Sequence, residues 1–316
     1  MQPTLRHRIV NFVHSTLLLG GIAVIGWISI SAIAGTFVSL MVVAGLILGS
    51  LLSGPAARTA LLSFYRARPL TEREFPEGIA MLRELARRAS LPAEPRLYYI
   101  PSAVPNAFAI GGPSGGRVCI SDGLLRLLDR RELAGVLAHE VSHIANRDLW
   151  IMAIADVMTR ATSMISYAGQ FILVVNLPLL LVGAVTVPWI VPLLLIFSPT
   201  IISLLQLALS RAREFDADLG AAQLTGDPMG LASALVKLDR QRGQFWEEIL
   251  LPGRRMPDPS LLRTHPPTEQ RIAQLREIAA SSAVRRPVVA AGADPVRTLI
   301  EPVTCSPRMH ITGSWL

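Results

Sequence analysis

Two long stretches without a single charged side chain constrain this chain more than any other feature. The first lies between Arg8 and Arg58, and the second runs from Ala161 to Ser210. About 20 apolar residues in a helix span a bilayer, so each stretch has room for two spans and a turn. In the first, the turn is expected near Gly35. In the second, spans are expected at roughly 164–186 and 188–209, punctuated by Pro178, Pro188, Pro192 and Pro199. Membrane helices tolerate proline when the freed backbone groups find other partners. Two rivals are weaker. Ala32-Ile33-Ala34 resembles a signal-peptide cleavage site, but a signal's apolar core is only about 7–15 residues and this run continues well past it. The second stretch also allows a re-entrant or interfacial pair.

Composition agrees with this reading. The chain of 316 residues is 51% hydrophobic and 17% charged, with a mean hydropathy of +0.45. Soluble domains carry about a quarter charged residues, and disordered chains carry more charge still at low hydrophobicity. The two cysteines, Cys119 and Cys305, make neither a disulfide framework nor a four-cysteine zinc site. Cys119 reads as a buried strand residue and Cys305 as a tail thiol.

The net charge of +7 comes almost wholly from arginine, since Lys237 is the only lysine. If both apolar blocks are hairpins, the N-terminus, residues 55–160 and residues 211–316 share one side of a membrane. Arg6, Arg8, Arg58, Arg66, Arg68, Arg211 and Arg213 flank the blocks on that side, while the turns near Gly35 and Val187 carry no charge. The positive-inside rule then places both polar segments in the cytoplasm. Anionic lipid accounts for the arginine excess, and no aromatic-interleaved basic module points to nucleic acid.

Within the polar segments, residues 71–90 have amphipathic helical spacing in Ile79, Leu82, Leu85, Ala86 and Ala89. Residues 97–100 read as a strand, and 106–110 with 118–120 as a hairpin around a glycine-rich turn. Asp129, with Glu132 three residues on, is a capping-box start for a helix expected to run on toward Trp150 and the second apolar block. Helices are also expected over 211–224 and 227–240. From Ser281 onward the sequence shows no periodicity and carries no assigned role.

The capped helix contains His139-Glu140-Val141-Ser142-His143. Histidines at i and i+4 stand about 40° apart around a helix axis, so both imidazoles can reach one ion. Glu140 can take a proton from water activated by that ion, the base role of the H-E-x-x-H pattern. From 6 His and the Glu content, chance would produce this pentapeptide in about 0.005 of such chains. A catalytic zinc site needs a third protein ligand. Glu214 and Asp218, again four apart, are suited to be that ligand and a carboxylate orienting a ligand histidine. Taken alone, the two acids could equally answer Arg211 and Arg213 as surface pairs. The long gap between His143 and Glu214 is almost filled by the second apolar block. A membrane hairpin returns its ends to one interface, which would place the metal near the cytoplasmic face.

Five segments in order, ARPLTEREFPE, PNAFAIGG, HEVSHIANRD, SRAREFDAD and THPPTEQRI, resemble the HtpX-like membrane zinc metalloproteases, relatives of the membrane-embedded CAAX prenyl proteases. The resemblance covers about residues 66–275. It implies a gluzincin-type site with one zinc ion (Zn2+) on His139, His143 and Glu214, and Glu140 as general base. It also implies membrane-protein quality control, under stress among other conditions, on polypeptides at the cytoplasmic side of a bacterial inner membrane. His265, in a family motif with Arg271 downstream, is placed near the scissile carbonyl, where either could stabilise the oxyanion. The same segment also reads as the N-cap region of a final helix. Asn106, Ala107, Phe108 and Ala109 look like an exposed edge strand on which an extended substrate could pair; alone they read equally as a loop entering a strand.

The expected fold is therefore predominantly helical α+β: an integral membrane protein with about four transmembrane helices and a gluzincin-like zinc protease domain carrying a small sheet. Its parts are an N-terminal hairpin (1–54), a first catalytic part (55–160), a second hairpin (161–210), a second catalytic part (211–280) and a tail (281–316). The rival is a non-enzymatic membrane adaptor or holdase with a structural or empty metal site. Glu140 and an open fourth coordination position favour the enzyme.

Overall fold

The computed structural model describes residues 3–183, 188–249, 268–281, 287–289 and 294–303. His265 and the turn at Val187 lie outside them. The chain forms two compact units, one of Met1–Gly54 with Trp150–Ala212, the other of Pro55–Leu149 with Arg213–Leu316.

The first unit is built from long apolar helices. Helix α1 (Pro3–Phe64) is broken at Gly35, whose φ of 74° lies where glycine alone is at ease. Among the described residues, three helices are long and apolar enough to cross a membrane: Ser15–Ala32 within α1, then Asp148–Leu179 and Ile190–Thr225. The fourth expected span, after Gly35, is helical, but most of its side chains lie outside the described set. Helix α5 (Asp148–Leu181) contains Pro178, and α6 (Ile190–Thr225) contains Pro199, without either ending there.

Polarity in this unit is reversed from that of a water-soluble domain. Met164, Tyr167, Phe171 and Val174 are each about 70% exposed, whereas Ser29, Thr162, Asn176 and Ser198 are buried. Thr159 Oγ1 donates to Gln206 Oε1 at 2.6 Å, joining α5 to α6. At Gly169 a Cβ would meet Leu195 Cβ at 2.6 Å, so glycine sets how closely those helices approach. Helices that bury hydroxyls and amides while displaying large apolar side chains are built for lipid. The protein is an integral membrane protein.

The second unit carries a four-stranded mixed sheet in the order β1-β2-β4-β3: β1 (Arg68–Pro69), β2 (Arg96–Ile100), β3 (Ala107–Ile110) and β4 (Arg117–Ser121). Strands β2 and β4 are parallel, while β3 pairs antiparallel with β4, matching Phe108 to Cys119. The expected hairpin is present, and β3 lies at the sheet's edge. Helix α2 (Pro76–Arg88) buries Met81, Leu82, Leu85 and Ala86, and α3 (Asp122–Leu127) follows β4 directly.

Helix α4 (Arg130–Asn146) is the centre of this unit, with Leu133, Leu137, Val141 and Ile144 in its core. Both hydrogen bonds of the expected capping box form: Asp129 Oδ1 accepts from Glu132 N, and Glu132 Oε2 accepts from Asp129 N. Glu132 also accepts from Ser233 Oγ and from Lys237 Nζ, both at 2.6 Å, on α7 (Pro228–Ile249). Arg131 pairs with Asp227 at the start of α7. The lone lysine thus anchors the helix that bears the histidines. Helix α8 (Thr268–Ser281) completes the set.

The segment past Ser281 is docked where it is described. Arg130 N donates to Asp294 O at 3.0 Å, satisfying an amide in the first turn of α4. Arg126 Nη2 donates to Ile300 O, and Val303 N donates to Asp122 Oδ2. Ile300 is buried in the main core.

Candidate metal centre

Two helices bring three side chains of the second unit to one point. Helix α4 supplies His139 and His143, stacked one turn apart with ring centroids 4.6 Å from each other. Helix α6 supplies Glu214. One donor atom from each of the three residues lies within 4.8 Å of the others. The i, i+4 spacing on both helices makes this possible. What brings the helices close enough is Gly220, where a Cβ would stand 2.0 Å from Ser142 Oγ.

The hydrogen bonds decide which ring atoms face the centre. His139 Nδ1 is 3.0 Å from Asp218 Oδ1, and His143 Nδ1 is 2.9 Å from Asp148 Oδ2. A carboxylate only accepts, so each Nδ1 carries the proton and each Nε2 is left with a lone pair. The two Nε2 atoms then face each other at 3.1 Å, and Glu214 oxygens stand 3.4 and 3.6 Å from them. Two lone pairs and a carboxylate held this way repel one another unless a cation joins them. Two imidazole nitrogens and one carboxylate oxygen suit a divalent metal such as zinc with one position left open.

The carboxylates that would hold a cation at this point also attract a proton to either ring. Burial opposes a charge on His139, but Asp218 and Glu214 hold it above the ordinary histidine value. His143 is raised further, with Asp148 and Glu214 again outweighing burial. Arg271 on α8 is buried and grips Asp218 with two bonds, Nε to Oδ2 at 2.7 Å and Nη2 to Oδ1 at 2.6 Å. Its Nη1 lies 3.1 Å from Glu214 Oε2. Burial alone would make Arg271 easier to deprotonate; the two carboxylates more than reverse that.

Glu140 is buried beside these groups, one residue past His139. Burial, with the Glu140 charge adding to it, pushes the Cys119 thiol up to about 12. Of the expected strand residues, Asn106 exchanges two bonds with Ser121, N to Oγ at 2.8 Å and O from N at 3.0 Å. Phe108 stacks against Tyr65 with centroids 5.1 Å apart. Ala107 is half-buried and Ala109 buried.

Residues 72–279 match peptidase family M48. The chain belongs to that family. It is 40% identical over 237 residues to a "Protease HtpX homolog" of Thermococcus kodakarensis, covering 69% of this chain and 79% of the relative. A "Protease HtpX homolog" of Kineococcus radiotolerans is 36% identical over 304 residues, covering 86% and 98%. Among solved structures, S. mikatae Ste24p has a TM-score of 0.45 at 20% identity, covering 85% of this chain and 66% of that one. This M48 peptidase is thus a membrane metalloprotease, a hydrolase acting on peptides.

Two residues at its centre escape sequence reasoning. Asp148 was expected to sit within a continuous helix, and Arg213 to be a surface flanking charge. Helix α4 instead ends at Asn146 with Arg147 in the left-handed conformation (φ 59°, ψ 27°). That turn folds Asp148 back onto His143. Arg213 is buried, with Nη1 3.2 Å from Asp148 Oδ1. The available signal was the HIANRD run, an aspartate five residues past His143.

Proposed function

We propose that this M48 peptidase is a zinc-dependent endopeptidase that hydrolyses misfolded or damaged polypeptides, membrane proteins among them, at the cytoplasmic side of a bacterial inner membrane. His139, His143 and Glu214 are the metal ligands, and Asp218 orients His139. The observation that carries the reading is the pair of Nε2 atoms turned toward each other, each with its Nδ1 committed to a carboxylate.

When bound, zinc would supply a Lewis acid that polarises the substrate carbonyl and makes water more acidic. Glu140 takes the proton from the attacking water and later returns it to the leaving amine. The edge strand from Asn106 to Ala109 is the one that an extended substrate would pair against through main-chain hydrogen bonds, with Asn106 itself tied to Ser121. Arg271, held by Asp218, keeps a positive charge against the site. Either Arg271 or His265 favours the negative oxygen of the tetrahedral intermediate.

The test compares the wild type with Glu140→Ala, both purified in detergent with zinc, on unfolded casein. The variant should keep its zinc and lose cleavage by about 100-fold or more. Equal cleavage by the two removes Glu140 from the chemistry. Bound zinc with no cleavage by either leaves a non-enzymatic metal protein. A reporter fused at Gly35 should read outside the cytoplasm, and a cytoplasmic signal there overturns the orientation.

A further inference from the structure

The two ligand histidines are held by two separate arms. On one arm His139 rests on Asp218, which Arg271 grips from α8. On the other His143 rests on Asp148, which Arg213 meets from α6. We propose that Arg213 is a positioning residue for the metal, acting through Asp148 to fix the direction of His143. This rests on the reading of His139, His143 and Glu214 as metal ligands.

Asp148 is 2% exposed and Arg213 is 9% exposed. Side chains so enclosed are held in one direction by the few polar partners they meet. The oxygens of Asp148 are divided between two tasks: Oδ2 accepts from His143 Nδ1 at 2.9 Å, and Oδ1 faces Arg213 at 3.2 Å. Asp148 thus stands between the imidazole and the guanidinium, and the contact of Arg213 with Oδ1 fixes the direction in which Oδ2 meets His143. Among the described residues, Arg213 Nε has no hydrogen-bond partner, which leaves Asp148 as its directed contact.

The position of Arg213 adds a second effect. It precedes Glu214 on α6, so the pair ties the helix of the third ligand to the segment that follows the first two. Asp148 and Arg213 also stand beside the points where the chain leaves and re-enters this unit, at Leu149–Trp150 and Ala212–Arg213. The ion pair therefore joins the ends of the intervening segment, and a contact between residues so far apart in sequence limits how far Glu214 can drift from His143.

The experiment measures zinc affinity of the full-length protein in detergent by competition with a chromophoric chelator. The variants are Arg213→Met, Asp148→Asn, the double variant and Arg213→Lys, each with a melting curve of the metal-free protein. Arg213→Met and Asp148→Asn should each weaken zinc about 10–100-fold. The double variant should be no weaker than the weaker single one, because both break the same arm. Arg213→Lys should recover part of the affinity by keeping the charge without the planar fork. Wild-type affinity in Arg213→Met, even with a lowered melting temperature, overturns the proposal. So do effects that multiply in the double variant, or an Arg213→Lys affinity no better than Arg213→Met. If the wild type binds no zinc that His139→Ala removes, the ligand assignment itself falls. If that binding holds and Arg213→Met changes nothing, the assignment stands and only the role of Arg213 falls.

Discussion

The two units solve opposite solvation problems with the same amino acids. In the membrane-capable unit, large apolar side chains such as Tyr167 and Phe171 point outward, and hydroxyls and amides are inside. In the unit that carries His139, His143 and Glu214, Phe75, Leu85, Leu133 and Leu137 are fully buried. Two of its buried carboxylates are met by cations, Glu132 by Lys237 and Asp218 by Arg271. A buried side chain therefore means something different in each. In the first it marks a helix seam where small and polar groups let backbones approach. In the second it marks either core packing or a charge network poised around a metal.

The largest expected effect tests that contrast directly. Phe171→Arg, at a position 70% exposed in the first unit, should disfavour membrane insertion by about 2.5–3.5 kcal/mol. Leu299→Arg, at a position 81% exposed in the second unit, should change stability by no more than about 0.5 kcal/mol. Membrane-fraction yield and thermal melting measure the two. Similar penalties at both positions would break the comparison.

Gly220→Val is next. Its new Cβ would collide with Ser142 between the two ligand histidines, so α6 must move away from α4. Overpacking of this kind costs about 1–3 kcal/mol, and zinc affinity should fall with it because Glu214 moves on the same helix. Gly112→Ala, where nothing lies within 4 Å, is the matched control and should leave both unchanged. Wild-type zinc affinity in Gly220→Val would show that helix spacing does not set the ligand position.

The smallest effect is a pH dependence. Burial would raise Asp122, but Arg126, the Val303 amide and the Tyr99 hydroxyl hold it below the usual carboxylate range. A depressed folded-state value contributes stability above the unfolded value, near 4, and loses it as pH falls through the lower folded value. Asp122→Asn should therefore flatten the stability profile of the second unit below about pH 4, as read by acid titration of its melting temperature. An unchanged acid slope would remove Asp122 from the docking of Val303.

Much of the metal centre was legible because it obeys local periodicity. The i, i+4 pairs His139/His143 and Glu214/Asp218 follow from helical geometry alone. The capping box at Asp129 and Glu132 is a local hydrogen-bond rule, and both of its bonds form. The arm through Asp148 was not legible. Nothing in the pattern from Asn146 to Trp150 stops a helix, and Arg147 takes a left-handed conformation that non-glycine residues seldom adopt. The pull of His143 and Arg213 on Asp148 comes from elsewhere in the fold. Arg213 misled for the same reason: beside an apolar block an arginine reads as a flanking charge, and only the approach of Asp148 makes its burial tolerable.

The docked segment after Ser281 teaches the same point at longer range. Among its described residues there is neither helix nor extended sheet. Its order comes from main-chain bonds to Glu74, Asp129, Arg130 and Thr225. By itself the sequence determined where lipid-facing helices run, where the ligand helix begins, and which residue types meet a metal, since each depends on near neighbours along the chain. The tertiary structure alone decided which face of each imidazole turns inward, because that depends on Asp148, Arg213 and Arg271. Those charges are distant in sequence, and each is stable in the interior only when its partner is beside it.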